Sequence, residues 1–121
     1  MNRDTQRAKA EAFRAMHDRS RILVLPNAWD AMSARVIEEA GARAIATTSA
    51  GVAFSVGYPD GEAIPRDEMI AAIARIARVV AVPVSADIES GFAHDTRGVA
   101  EAVHHVDRHG RYLSTGRAIA R

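Results

Sequence analysis

The sequence predicts an α/β fold organised around a parallel sheet. Short apolar runs at 22–26, 44–49 and 82–87 alternate with longer segments whose apolar residues recur at helical spacing. The short runs are apolar at successive positions rather than at every second one. That is the pattern of strands covered on both faces, as parallel strands are. Each run also ends in polar or small residues, "PNAWD", "TTSAG" and "ADIES". In parallel α/β folds this rim, at the carboxyl ends of the strands, is where ligands sit.

The elements follow in order. Residues 3–18 read as a helix with a thin stripe of Ala8, Ala12, Phe13 and Met16. "ILVLP" (22–26) is a short buried strand stopped by proline. "DAMSARVIEEA" (30–40) is a helix with Met32, Val36, Ile37 and Ala40 on one face, Asp30 as its N-cap and Gly41 as its stop. "AIATTS" (44–49) is the second strand, and 50–65 is a long turn-rich connection. Pro65 opens a strong helix in which Met69, Ile73, Ile76 and Val80 share a face. "VPVSAD" (82–87) is the third strand, and 96–109 is a helix with Val99, Ala102, Val103 and Val106 as its face and Gly110 as its stop.

Composition narrows the function. The chain has 121 residues, 48% hydrophobic and 26% charged, an ordinary balance for one globular domain. A net charge of +1 gives no electrostatic case for nucleic acid. There is no cysteine, so disulfides and thiolate metal sites are excluded. No apolar run approaches the roughly 18 residues of a membrane span, and the charged N-terminus lacks a signal core, so a cytoplasmic protein is expected. Lys9 is the only lysine and lies in a polar segment, which leaves no candidate for Schiff-base chemistry.

Asp87 and Glu89 carry the sharpest chemical signal. Spaced i and i+2 at the end of a strand, they are expected to face the same side and form a hard oxygen site for Mg²⁺ or Mn²⁺. The competing reading is a strand-end cap and a loop acid. Asp60, in "GYPDG", stands in a common turn sequence. "TTSAGVA" (47–53) can offer N–H groups to a carboxylate or phosphate, or can simply be a tight connection; it is neither a Walker loop nor a dinucleotide fingerprint. Trp29 either walls a pocket or packs, and Asp30 caps a helix. His105 and His109 have a zinc-compatible spacing beside His104 but lie off the apolar face, as on a solvated helix surface.

The segments "LVLPNAWDAMSARVIEEAG", "AIATTSAGVAFSVGYPDGEAIPRDEM" and "VPVSADIESGF" together resemble the isocitrate lyase/phosphoenolpyruvate mutase superfamily, over residues 12–106. Within it the chain is similar to members near 2-methylisocitrate lyase or phosphonopyruvate hydrolase. The resemblance implies the N-terminal portion of a (β/α)₈ barrel: a helix and about three βα units, with the strands in sequential order. It implies Mg²⁺ or Mn²⁺, and cleavage or formation of C–C or C–P bonds beside a 2-oxo acid through an enolate-like pyruvate species. By position, Asp87 is implied as the direct metal ligand. Glu89 and Asp60 are implied to act through water, with Asp60 also counted as catalytic. Thr48, Ser49, Ala50 and Gly51 are implied to cradle the substrate carboxylate, with Trp29 and Asp30 at the pocket wall. The implied partner is a small 2-oxo acid or related carboxylate, with no nucleic acid and no membrane.

A barrel of this type takes about 200 residues or more. The family's mobile acid/base loop, a further metal-shell glutamate and the substrate-gripping arginine come after the fourth strand and have no match. The tail 110–121 does not read as that strand, and the change at His109–Gly110 predicts a truncated or frame-shifted product. Resequencing the locus would refute this if no downstream frame encodes the rest. The expectation is therefore one incomplete barrel domain over 1–121, insufficient for catalysis and self-associating where relatives are homo-oligomeric. The alternatives are a non-catalytic half-barrel with a residual metal or carboxylate site, and a small flavodoxin-like binding domain; strand order separates the last from a barrel.

Overall fold

The computed structural model describes residues 3–110 and 113–114. The remainder of the atypical tail therefore lies outside the described residues. The chain runs α1 (Arg3–Ala15), β1 (Asn27–Ala28), α2 (Ala31–Glu39), β2 (Ile45–Thr47), α3 (Ser49–Ser55), α4 (Arg66–Arg78), β3 (Val84–Ala86), α5 (Thr96–Gly110) and β4 (Leu113–Ser114). The sheet is parallel throughout and ordered β1-β2-β3-β4. Sequential order is that of a barrel segment; a flavodoxin-like sheet would place its second strand outside the first. The alternation of strand and helix predicted this arrangement, and the short β4 adds a strand that the tail did not suggest.

The core lies between the sheet and α2, α4 and α5. Ile45, Val52, Ile64, Met69, Ile73, Ile76 and Val106 are fully enclosed in it. The α4 face predicted from Met69, Ile73, Ile76 and Val80 is buried as expected, as are Ala102 and Val106 of α5. Pro65 stands at the N-cap of α4, where its missing N–H costs nothing.

Three expectations are corrected. The apolar run 22–26 is not a strand: β1 begins at Asn27, and Ile22 and Val24 are 94% and 69% exposed. The ladder explains this. The Ala46 amide donates to Pro26 O, so pairing with β2 starts only where the apolar run ends. On α2, the buried residue is Ala34, whereas Met32 and Val36 are 72% and 58% exposed. A small side chain there lets the helix sit close to the sheet, which turns the larger residues to its flank. The connection 50–65 contains a helix, α3, capped by Thr48. Gly51 obscured it in the sequence. A Cβ at that position would stand 2.7 Å from Thr48 Cγ2 and 3.0 Å from Trp29 Cβ, so glycine serves a close approach here, not a turn.

Candidate active site

The carboxylates gather beyond the C-terminal end of β3. The strand stops at Ala86, so Asp87 and Glu89 do not converge by strand alternation as expected. A tight turn brings them together instead. Glu89 adopts a left-handed φ of 52°, and its amide donates to Asp87 Oδ1 at 3.0 Å. The Asp87 amide donates to Thr47 Oγ1 at 2.9 Å, tying the turn to the end of β2. Asp87 Oδ2 accepts from both the amide (3.2 Å) and the hydroxyl (2.9 Å) of Ser49. The aspartate is thus held from two strands, with both oxygens oriented and the side chain exposed at the rim.

The turn 57–62 brings Asp60 and Glu62 toward the same place. Asp60 Oδ1 accepts from the Gly61 amide at 2.9 Å, which fixes the carboxylate on its turn. The Glu62 amide donates to Glu89 Oε1 at 3.2 Å. Burial, and then the negative charges of Glu62, Asp60 and Asp87, hold the Glu89 proton affinity above the ordinary carboxylate value, against the opposing Glu62 amide bond. For Glu62, burial pushes the same way. The Ser90 hydroxyl, the Phe92 and Ser90 amides and the charge of His94 outweigh it and lower its pKa. The ion pairs among the described residues all lie elsewhere, so no arginine or lysine neutralises the four acids.

Among the described residues, no three His, Asp or Glu side chains meet closely enough to hold a metal by themselves. Magnesium does not require that: it keeps several waters and is commonly bound through one or two carboxylates. The donor set here is hard oxygen without an arginine or lysine partner, with Asp87 fixed and exposed, and it fits such an ion.

The other expected residues take definite places. Asp30 caps α2, accepting from the Ser33 amide at 2.7 Å, while Ser33 Oγ accepts from the Asp30 amide at 3.1 Å. Trp29 is 47% exposed, and its carbonyl accepts from Ser55 Oγ of α3. Thr48 Oγ1 faces the Gly51 amide at 3.4 Å. Thr48, Ser49, Ala50 and Gly51 therefore form a helix start beside Asp87, where an open loop was expected, and both Ser49 donors are taken by Asp87. His104 is exposed and His105 half-buried on α5; the His109 side chain is outside the described residues. Thr47, Glu62 and Ser90 were not picked out from sequence. Only the closeness of Glu62 to Asp60 in "PDGE" hinted at its place.

A groove of about 510 Å³ lies elsewhere, lined by residues 21–24, Pro26, Ile37 and residues 40–43. These residues mostly precede β1 and β2, at the end of the sheet opposite the carboxylates.

Comparison with known proteins decides the family. The phosphoenolpyruvate phosphomutase family profile matches residues 13–112. The chain belongs to this family. A candidate lyase/mutase from Burkholderia cenocepacia J2315 superposes with a TM-score of 0.82 at 47% identity, over 88% of this chain and 38% of that one. The 2,3-dimethylmalate lyase of Eubacterium barkeri is 35% identical over 86 residues, 70% of this chain and 30% of that protein. Phosphonopyruvate hydrolase in complex with oxalate and Mg²⁺ superposes with a TM-score of 0.77 at 26% identity, over 84% of this chain and 36% of that one. The fold is thus part of the (β/α)₈ barrel of the phosphomutase family. The chain spans about a third of the length of the curated relatives it matches.

Proposed function

We propose that this chain carries the divalent-metal segment of a lyase or mutase site acting on C–C or C–P bonds beside a 2-oxo acid. The observation that carries the reading is the exposed Asp87 carboxylate, both oxygens oriented just past β3 by Ser49 and the Glu89 amide, without an arginine or lysine partner among the described residues. Mg²⁺ or Mn²⁺ would be held by Asp87 directly and by Glu89 and Asp60 through water. When bound, the ion supplies electrophilic stabilisation of negative charge on a substrate oxygen.

The residues of the chain have separable tasks. Ser49 and the Glu89 amide orient the two Asp87 oxygens, so the ligand does not have to be ordered when the ion arrives. Glu89 holds a proton more readily than an ordinary glutamate, so ion binding there displaces protons near the acid end of the pH range. The segment Thr48–Gly51 and Trp29 border the same rim and would flank a small carboxylate. The magnesium-and-oxalate complex of phosphonopyruvate hydrolase, a structural relative, supports this ligand class.

A second reading is a site that binds the ion or a carboxylate without turnover. It is favoured by the Asp87 carboxylate's hold on both Ser49 donors, which draws that residue away from the expected substrate cradle. Calorimetric titration of Mg²⁺ with and without oxalate, in the wild type and in Asp87→Ala, tests the shared claim. Oxalate-enhanced binding that disappears in the variant is expected. Equal binding by both proteins, or none by folded wild type, would refute it.

A further inference from the structure

Glu62 and Glu89 are joined reciprocally across two turns distant in sequence. The Glu62 amide donates to Glu89 Oε1 at 3.2 Å. In the other direction, Glu62 Oε1 accepts from the Ser90 amide (3.0 Å), the Ser90 hydroxyl (2.6 Å) and the Phe92 amide (3.1 Å). One carboxylate oxygen thus gathers three donors from the turn that carries the metal-site acids. The non-glycine residues with left-handed backbone among the described residues are Glu62, Glu89 and Phe92, all within these two turns. Such conformations are strained for residues with a Cβ and persist where surrounding bonds over-determine them.

We propose that Glu62 is a positioning residue for the metal site: its carboxylate clasps the 88–92 turn and thereby sets Glu89 and Asp87 at the rim. The inference rests on the metal-site reading above. Glu62 accepts from backbone and hydroxyl donors at a fixed reach, with the charge of His94 acting on it as well. Reach and charge therefore separate in mutants. Glu62→Gln keeps the acceptor oxygen at the same distance and loses the charge. Glu62→Asp keeps the charge and is one methylene short.

The test is Mn²⁺ titration by calorimetry in the wild type, Glu62→Gln and Glu62→Asp, each with amide hydrogen exchange at Ser90 and Phe92 in the metal-free state. Glu62→Gln is expected to retain wild-type affinity and slow exchange. Glu62→Asp is expected to bind about tenfold or more weakly, the usual loss for a residue that orients metal ligands, with fast exchange at both amides. Wild-type affinity in Glu62→Asp, or a Glu62→Gln as impaired as Glu62→Asp, would overturn the clasp and leave the metal site standing. Failure of the folded wild type to bind Mn²⁺ would overturn the metal-site reading together with the inference. Exchange at Ser90 and Phe92 would still report, without metal, whether the clasp holds the turn.

Discussion

At the scale of single residues, the site depends on how few donors hold each acid. Asp87 has its two oxygens shared among Ser49 and Glu89, whereas Glu89 has the Glu62 amide and three neighbouring negative charges. This difference predicts a pH dependence for the metal-free protein. Glu89 has a raised folded-state pKa, so the folded state holds more protons than the unfolded one just above the ordinary glutamate value of 4.5. Its contribution is fully favourable below that value and is lost as pH rises through the folded pKa. Glu89→Gln is therefore expected to be more stable than wild type near neutral pH and to lose that advantage toward pH 4. Thermal melts across pH check this; a difference independent of pH would contradict it. That Asp87 and Glu89 lie just past the third strand was legible in the sequence, because the apolar run stops there. Glu62 was not, because its role depends on donors at Ser90 and Phe92, which sequence spacing cannot bring to it.

At the scale of elements, the fold was legible where one physical signal dominated. The helix α4 has a full apolar stripe and a proline at its start; the expected Met69, Ile73 and Ile76 are buried on it, together with Ile70 and Ala72. Asp30 and Gly41 bounded α2 as cap chemistry requires, with Gly41 at a φ of 95°. The reading failed where two signals competed. In 22–26 the apolar run outweighed the register that begins at Pro26, and in 49–55 a glycine concealed a helix. Long-range anchoring was also invisible. Glu38 of α2 accepts from the Ala81 amide (2.6 Å) and the Val82 amide (3.1 Å), pinning the approach to β3 with a side chain only 14% exposed. Glu38→Ala leaves both amides without their acceptor and is expected to destabilise the chain by about 1–3 kcal/mol. Chemical denaturation measures it, and a change below about 0.5 kcal/mol, the usual range for surface substitutions, would show that the clamp is idle.

At the scale of the whole molecule, β1 and β4 are the outer strands of the sheet among the described residues, and Ile22, Val24, Met32, Val36 and Phe54 are exposed apolar residues. Open edges and apolar surface favour pairing with further chain. We expect concentration-dependent association, read by sedimentation velocity; a monodisperse, highly stable two-state monomer would contradict it. Among the described residues no helix is long and apolar enough to cross a membrane. The proposed function places a divalent ion at the rim of β2 and β3. The most direct measurement is an anomalous difference map from crystals grown with Mn²⁺ and oxalate. The account predicts a peak in coordination contact with the Asp87 carboxylate, with Asp60 and Glu89 reaching it through water. Manganese bound elsewhere, or no peak while the Asp87 carboxylate keeps its bonds to Ser49, would contradict it.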